Sequence, residues 1–209
     1  MKSLITIVLL TVSLQAKATD ITLLMGQQYN SDFEVSSVGN LPSDLQSNPV
    51  PGEKIQLDDE SAFGLAVDFI YRNNQDQRIG ILLSRQQTSF GSSAALNDND
   101  VDITHIHFTA MNYYPEGKWE PFVLLGLGAV NFSPKDHTLK NVTRFSAQVG
   151  GGTNFRFSEN LLLRLELRWI PTFFGGSTNV FCDGGCTVSV TSSIYNQVQA
   201  NIGLQYRFQ

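Results

Sequence analysis

The chain has 209 residues, of which 42% are hydrophobic, and a formal net charge of −5 at neutral pH. An acidic balance of this kind argues against nucleic-acid binding, which depends on clustered Lys and Arg side chains. No stretch reaches the roughly 18 consecutive apolar residues that a transmembrane helix needs. A protein that crosses a membrane with strands remains possible, because only half of each strand then has to be apolar.

The first 18 residues have the organisation of a secretory signal peptide. Lys2 precedes an apolar run from Leu4 to Leu14, and Ala16-Lys17-Ala18 is a small-x-small cleavage pattern. We therefore expect a signal peptide at 1–18 and one exported domain at 19–209. Loss of the leader removes two lysines, which leaves 12 basic and 19 acidic residues and a net charge of −7.

Eight segments of the exported part alternate between apolar and polar or small side chains. A period of two is that of a β-strand whose two faces meet different surroundings. In chain order, the segments are Ile21 to Tyr29, Phe63 to Arg72, Ile79 to Ser84, Thr104 to Ala110, Val123 to Ala129, Arg144 to Phe157, Leu161 to Trp169 and Gln197 to Phe208. The last segment alternates without interruption and ends in aromatic residues.

The connections between these segments alternate in length. Three are short and rich in turn formers, at 73–76, 115–118 and 158–160. Four are long, at 31–59, 91–100, 133–141 and 175–193. An even number of strands joined by short periplasmic turns and long external loops is typical of outer-membrane barrels. We predict an all-β, eight-stranded, antiparallel, up-and-down transmembrane β-barrel in the outer membrane of a Gram-negative bacterium.

Aromatic residues near the strand ends favour the same fold, because membrane barrels carry aromatic girdles at both interfaces. At the periplasmic end we expect a girdle of Tyr71, Tyr113, Tyr114, Trp119, Phe122, Phe157, Tyr206 and Phe208. At the outer end we expect Tyr29, Phe63, Phe90, Phe132, Phe173, Phe174 and Tyr195. A soluble β-sandwich, the main alternative, would place such residues in the middle of its core.

The polar faces of the strands predict a charged lumen. The predicted charge cluster consists of Asp68, Arg144, Arg156, Arg164, Glu166, Arg168 and Arg207, and Arg72, Arg78 and Glu120 are expected to face inward as well. Buried ions are tolerated only when they are paired and hydrogen-bonded. We therefore expect a polar plug that closes the barrel, with glycines such as Gly126 and Gly150 leaving room for it. A gated path or a binding site is the alternative.

Two histidines, His105 and His107, are expected to face the lumen from one strand. Two imidazoles could contribute to a metal site, but no third ligand is evident nearby. Catalysis would need a nucleophile and an orienting acid within hydrogen-bond reach, and no His-x-Ser-Asn or His-Asp-Ser string of a lipid-modifying barrel is present. We expect structural histidines, with no cofactor and no metal.

The two cysteines, Cys182 and Cys186, bracket three residues of the last long connection. Because an exported protein meets an oxidising environment, a disulfide between them is expected. A metal site, which would lack further ligands, and two free thiols are the alternatives.

Two motifs resemble those of a known group of proteins. The segment Glu120 to Gly128 resembles the "PYxGxGxG" fifth-strand motif of small outer-membrane barrels, and Gly203 to Phe208 is similar to their "GxGYRF" ending. Tyr113-Tyr114 before a turn also fits the OmpW-type and OmpA-transmembrane-type families. The resemblance implies that Leu204, Tyr206 and Phe208 form the signal that the barrel-assembly machinery recognises.

This chain departs from that resemblance in two respects. Gln209 follows the terminal aromatic residue, and the stripe of Arg164, Glu166 and Arg168 does not match the apolar lumen through which OmpW-type barrels pass small hydrophobic molecules.

The sequence predicts a role more coarsely than a fold. We expect a non-enzymatic, monomeric outer-membrane protein that contacts lipid, lipopolysaccharide and the barrel-assembly machinery, binds no nucleic acid and acts through its external loops. Such a barrel would pass small solutes narrowly at most. A surface adhesin acting through the long first and fourth loops is one alternative, and a lipid-modifying outer-membrane enzyme is another.

Overall fold

The computed structural model describes residues 19–31, 33–38, 54–55, 59–72, 74–89, 100–135, 141–174, 178–179, 188–190 and 194–208. The predicted signal peptide, the predicted Cys182–Cys186 disulfide and Gln209 lie outside these residues. No helix within them is long and apolar enough to cross a membrane.

The described part of the chain folds into β-strands and their connections. In chain order the strands are β1 (Asp20–Asn30), β2 (Phe33–Val38), β3 (Lys54–Ile55), β4 (Glu60–Tyr71), β5 (Asn74–Ser89), β6 (Asp100–Tyr113), β7 (Trp119–Pro134), β8 (Val142–Arg156), β9 (Leu161–Phe173), β10 (Thr178–Asn179), β11 (Val188–Val190) and β12 (Ile194–Arg207).

Eight of these strands form a closed antiparallel barrel in the order β1-β12-β9-β8-β7-β6-β5-β4. Each strand pairs with its sequence neighbours in the barrel, and β12 closes the cylinder against β1 from Asp20↔Arg207 to Asn30↔Gln197. The predicted fold class is confirmed. Most strands are longer than their alternating segments: β7 has 16 residues, whereas the alternation predicted residues 123–129.

Alternation along each strand separates an apolar outer face from a packed interior. Phe108 on β6 and Leu125 on β7 are 69% and 62% exposed, whereas their neighbours His107 and Leu124 are buried. The same contrast recurs along all eight strands. Soluble proteins rarely leave so large an apolar surface in water, whereas hydrocarbon covers such a surface in a membrane barrel.

The two ends of the barrel differ. At one end, which we call the turn end, β4–β5, β6–β7 and β8–β9 are joined by the short turns, and β1 begins and β12 ends there. Gly117 in the second turn has a φ of 63°, a backbone conformation that glycine adopts without steric cost. The opposite end, the loop end, carries the four long connections, as the alternation in length predicted.

Near the loop end, several outward-facing side chains are polar and pair with one another. Gln27 Nε2 donates to Ser61 Oγ at 3.0 Å, and Arg85 Nη2 lies 2.7 Å from Asp102 Oδ2. Asn131 Nδ2 donates to Thr143 Oγ1 at 2.8 Å. This polar collar marks where the apolar band of the outer surface ends, so the strands extend past that band at the loop end.

Beyond the collar, parts of two long loops form a second sheet that the sequence did not predict. Its order is β10-β11-β2-β3. Strand β11 from the last long connection pairs with β2 from the first, through Val188↔Val38 and Ser189↔Ser37. The first and last loops are therefore joined by backbone hydrogen bonds.

Five of the aromatic residues assigned to the girdles lie inside the barrel instead. They are Tyr113 and Phe122 at the turn end and Phe132, Phe174 and Tyr195 at the loop end, all buried. Position near a strand end is not sufficient for a girdle residue, because the side chain must also lie on the outward register. Phe132 shares the inward register of Gly126. Girdle residues such as Phe63, Trp119 and Tyr206 are exposed as predicted.

The depth of the outward face in the membrane predicts the cost of a charge placed on it. We expect F108R, in the middle of the apolar band of β6, to lower the free energy of unfolding by about 2–4 kcal/mol. T104R, at the loop-end margin of the same strand and face, should cost about 0–1 kcal/mol. Urea unfolding in lipid vesicles, followed by tryptophan fluorescence, measures both, and equal costs would contradict the assigned band.

Candidate functional site in the barrel interior

At the turn end, five buried or half-buried charged residues form a chain of alternating sign, the turn-end cluster. Its members, in spatial order, are Arg78, Asp20, Arg207, Glu120 and Arg156. Arg207 donates to Asp20 Oδ1 from Nε at 3.1 Å and to both oxygens of Glu120, at 3.0 and 2.9 Å. A bidentate arginine–carboxylate pair is among the strongest polar contacts in proteins. Because β12 carries Arg207, β1 carries Asp20 and β7 carries Glu120, this cluster bridges the lumen.

A second group, the central cluster, lies deeper in the barrel. It consists of Asp68 on β4 and of Arg164, Glu166 and Arg168, which follow one another on the inward face of β9. Glu166 lies between the two arginines, 2.8 Å from Arg164 Nε and 2.7 Å from Arg168 Nε. Arg164 Nη1 lies 3.8 Å from Asp68 Oδ2. All four residues are almost completely buried.

Aromatic and apolar side chains surround the central cluster. The Arg164 guanidinium lies over the Phe122 ring, 4.4 Å from its centroid, and its Nη2 is 3.1 Å from Met111 Sδ. A cation above an aromatic face is stabilised by the ring quadrupole, more so where water is excluded. These contacts fill the space beside the ion pairs, so the charged stripe of β9 forms part of a packed core.

Glycines on neighbouring strands make room for these side chains. A Cβ atom added at Gly80 would collide with the Asp68 carboxylate, and one added at Gly150 would lie 3.0 Å from Arg168 Cγ. One at Gly126 would lie 2.5 Å from Gln148 Nε2. The strand glycines therefore provide volume for large polar residues on the adjacent strand.

The two histidines lie above the central cluster, stacked with ring centroids 5.9 Å apart. His105 Nε2 is 2.9 Å from Gln197 Oε1, and His107 Nε2 is 2.8 Å from Ser146 Oγ. His107 and Ser146 are arranged like the general base and the nucleophile of a hydrolase, but both residues are fully buried. His107 Nδ1 has no partner among the described residues, so no acid orients the imidazole. Within the described ranges, no three His, Cys, Asp or Glu side chains are grouped to hold a metal ion.

The loop end of the lumen is filled by an apolar group, the loop-end plug. Its centre is formed by the rings of Phe132, Phe174 and Tyr195, whose centroids are 6.0 to 6.5 Å apart. Around them lie further fully buried apolar side chains, including Ile103 and Ile170. An aromatic and aliphatic cluster with this burial is a hydrophobic core, here enclosed by the part of the barrel next to the loops.

Little free volume remains in the middle of the lumen. The cavity beside the central cluster, between Leu24, Met111 and Arg164, has a volume of about 10 Å³. One water molecule needs about 10–15 Å³. The described interior consists of three layers, namely ion pairs at the turn end and centre, a histidine and amide layer, and an apolar plug, and the cavity beside the central cluster holds about one water molecule at most.

The structure brings together six of the seven residues of the predicted charge cluster, in two groups. Asp68, Arg164, Glu166 and Arg168 form the central cluster, and Arg156 and Arg207 belong to the turn-end cluster. Arg144 lies apart near the loop end, where its guanidinium is 5.6 Å from the Phe174 ring centroid.

Two further charged residues differ from the expectation. Arg72, expected in the lumen, is exposed in the β4–β5 turn with a φ of 50°, and it lies over the Tyr71 ring. Asp20 was missed, because the first alternating segment was taken to begin at Ile21. The signal that could have found it is the alternation of β1, because Asp20 lies two and four residues before the inward-facing Thr22 and Leu24.

The predicted assembly residues lie on the outward face of the last strand. Leu204, Tyr206 and Phe208 are all exposed to a similar degree, and the Tyr206 and Phe208 rings pack edge to face, 4.9 Å apart. Phe208 N donates to Thr19 O, which holds the end of the described chain against its beginning.

Comparison with known proteins places this fold. Neisserial surface protein A superposes with a TM-score of 0.61 at 10% sequence identity, over 92% of this chain and 99% of that one. The outer-membrane protein OprG from Pseudomonas aeruginosa superposes with a TM-score of 0.55 at 12% identity, over 92% and 98%. The chain has the fold of small eight-stranded outer-membrane barrels. No family model matches it, and no curated protein resembles it significantly in sequence.

The burial of the central cluster predicts a large effect of removing one of its charges. E166Q keeps the shape of the side chain but leaves Arg164 and Arg168 without their shared carboxylate. We expect a loss of about 3–5 kcal/mol in the free energy of unfolding. D102N removes the carboxylate of a pair whose arginine side chain is 66% exposed, and it should cost less than about 1 kcal/mol.

Denaturant titration of both variants in lipid vesicles provides the comparison. A loss for E166Q no larger than that for D102N would show that the lumen is solvated rather than packed.

Proposed function

We propose that this protein is a monomeric, non-enzymatic outer-membrane barrel that acts through its external surface, with at most narrow passage of small solutes. The observation that carries the proposal is the filled lumen between an apolar outer face and a structured loop end. An apolar band on eight strands supports insertion in a bilayer. Because such barrels occur in the outer membrane of Gram-negative bacteria, we propose that location, with the turn end in the periplasm.

The packing of the interior supports a closed barrel. A channel needs a continuous polar path, whereas this lumen is filled by the loop-end plug above and by the central cluster below. Several of the side chains that a solute would have to displace are held by ion pairs, hydrogen bonds or ring packing. Buried paired charges are costly to separate, so opening would require several of these contacts to break together.

The same packing argues against an enzyme. The Ser146–His107 contact is the arrangement nearest to a catalytic pair among the described residues, and both side chains are fully buried. A lipid substrate reaches a barrel from its outer face or its rim, and neither residue lies there. The exposed pairs of the polar collar contain no histidine.

The loop end supports a role in surface contact, and this observation favours the adhesin among the alternatives. Strands β2 and β11 join the first and last long connections into one sheet, although about 150 residues separate them in the chain. Joined loops present a more defined surface than separate flexible loops, because less ordering entropy is lost on binding. We infer that this sheet supports the contact surface.

The outward face of β12 supports recognition by the barrel-assembly machinery. Leu204, Tyr206 and Phe208 lie on one exposed face at the turn end, and the strand that carries them closes the barrel. Outer-membrane lipid and lipopolysaccharide are the proposed partners of the apolar band and the collar.

A closed lumen predicts no steady ion conductance. Purified protein reconstituted into planar lipid bilayers should give no stable current steps, because the plug and the clusters fill the cross-section. A gel of the same preparation before and after boiling confirms that the barrel is folded, since a folded barrel migrates differently from the unfolded chain. Reproducible steps of constant size from protein shown to be folded would contradict the closed barrel.

A contact role predicts that a loop segment can be removed with loss of binding and without loss of the barrel. Replacing 39–53 with a short Gly-Ser linker leaves β2 and β3 intact, including their pairs Phe33↔Ile55 and Glu34↔Lys54. We expect cells that express this variant to lose adherence to epithelial cells. The matched control replaces 136–140 in another long connection and should adhere normally.

Both variants must still reach the outer membrane and change migration on boiling, which separates loss of contact from failure to assemble. Undiminished adherence of a correctly assembled 39–53 variant would contradict the contact role.

A further inference from the structure

The mouth of the barrel at the turn end contains a cavity of about 430 Å³, which we call the vestibule. Its charged wall is formed by Arg78, Glu120, Arg156 and Arg207 of the turn-end cluster. This volume is within the range of small-molecule binding sites, and it is much larger than the space left in the central lumen. The proposed function makes no use of it.

The turn-end cluster begins and ends with an arginine. Both oxygens of Asp20 are occupied, one by Arg78 Nε at 3.3 Å and the other by Arg207 Nε at 3.1 Å. Both oxygens of Glu120 accept from Arg207, and Arg156 shares one of them. The two carboxylates therefore have no free oxygen, whereas the two arginines at the ends of the cluster each pair with a carboxylate on one side alone.

The donors of these end arginines are incompletely used. Arg156 contacts Glu120 through Nη2, and its Nε is buried with no partner among the described residues. Arg78 donates through Nε to Asp20 and through Nη1 to the backbone carbonyl oxygens of Gln75 and Gln77 on its own strand. Buried donors of a charged group are costly to leave unpaired. Within the turn-end cluster, unused hydrogen-bond donors therefore outnumber unused acceptors.

The charge count agrees with the hydrogen-bond count. Within the turn-end cluster, the guanidiniums of Arg78, Arg156 and Arg207 face the carboxylates of Asp20 and Glu120, which leaves one positive charge in excess. Asp76 also borders the vestibule, but it is exposed near the start of β5. Solvent and salt screen such a charge more than the buried ones.

The remaining lining of the vestibule has polar members, Thr19, Gln75 and Asp76, and an apolar part. The apolar part includes Ile70, Tyr113 and Phe208, and Arg78 lies 5.7 Å from the centroid of the Tyr113 ring. A ligand that fits both walls has an anionic group at one side and an apolar group at the other. The planar two-oxygen shape of a carboxylate matches the fork of a guanidinium. Its single charge equals the excess, whereas a phosphate dianion would exceed it.

We propose that the vestibule is a binding site for a small amphipathic carboxylate, held by Arg156 with its apolar part against Ile70 and Tyr113. The carboxylate accepts hydrogen bonds from the donors that the turn-end cluster leaves unused, and its negative charge neutralises the excess positive charge of that cluster. In the proposed orientation the vestibule opens to the periplasm, but the binding depends neither on that orientation nor on the proposed surface role.

Titration of the folded protein in lipid nanodiscs tests this site. The probes are benzoate, as a free carboxylate, and N-acetyl-dialanine, as a peptide carboxyl terminus, with N-acetyl-dialanine amide and inorganic phosphate for comparison. Arginine Nε resonances in nitrogen-15 NMR report on Arg156 directly. We expect saturable shifts with one or both carboxylates, weaker shifts with phosphate and none with the amide. The carboxylate that binds more tightly shows whether the site takes a free carboxylate or a peptide carboxyl terminus.

Variants locate the binding in the vestibule. R156Q should raise the Kd at least about tenfold, equivalent to about 1.4 kcal/mol. K118Q removes a positive charge from the exposed β6–β7 turn beside the vestibule and should change the Kd less than about twofold, since a screened charge contributes little. R156K, which keeps the charge and loses the fork, should be intermediate, and it serves as the test if R156Q does not fold.

Several results would overturn the proposal. Among the ligands, these results are binding of the amide as tight as that of the peptide, tighter binding of phosphate than of either carboxylate, and the absence of saturable shifts with both carboxylates. Among the variants, it is an R156Q or R156K protein that binds as tightly as the unmodified protein. A loss in K118Q as large as that in R156Q would assign the binding to general positive charge at this end.

Discussion

The structure depends on the pairing of β12 with β1. In hydrocarbon no water is available to the backbone, so each N–H and C=O of a membrane-crossing strand must be paired within the protein. An eight-stranded sheet with two free edges would leave two rows of unpaired groups. The antiparallel pairing from Asp20↔Arg207 to Asn30↔Gln197 removes both edges. Closure also determines the interior, because the inward faces of eight strands then meet across a lumen just wide enough for side chains.

A narrow lumen decides how its charges can be accommodated. Ionised groups taken out of water lose several kcal/mol of hydration each, and attraction recovers this loss only where pairing is close and complete. The central cluster approaches that condition through Glu166, which lies between two arginines. The turn-end cluster satisfies its carboxylates but leaves arginine donors beside a cavity. The same ion-pair chemistry therefore fills the middle of the barrel and leaves a polar recess at its turn end.

Alternation with a period of two predicted the eight barrel strands, their order and the side of most of their residues, because one face of these strands is apolar and the other is largely polar. The assignment of Phe132, Phe174 and Tyr195 to a lipid-facing girdle was wrong because it followed position along the strand rather than register. The lengths of the strands were underestimated for a related reason. Near the collar several outward-facing residues are polar, so the alternation between apolar and polar residues disappears while the backbone pairing of the strands continues. The sheet of β2, β3, β10 and β11 could not be predicted, because it pairs residues far apart in the chain and has a register shift at Ser189/Val190.

The central claim is that alternate residues of these strands face lipid and a closed, packed lumen. Nuclear Overhauser effects between leucine methyl groups and their surroundings, measured in nanodiscs, test it without altering the protein. The account predicts contacts to acyl chains for the outward Leu125, Leu127 and Leu204. It predicts contacts neither to acyl chains nor to bulk water for the inward Leu24, Leu82 and Leu124. Contacts between the inward methyl groups and water would contradict the closed lumen, and outward methyl groups without lipid contacts would contradict the membrane barrel.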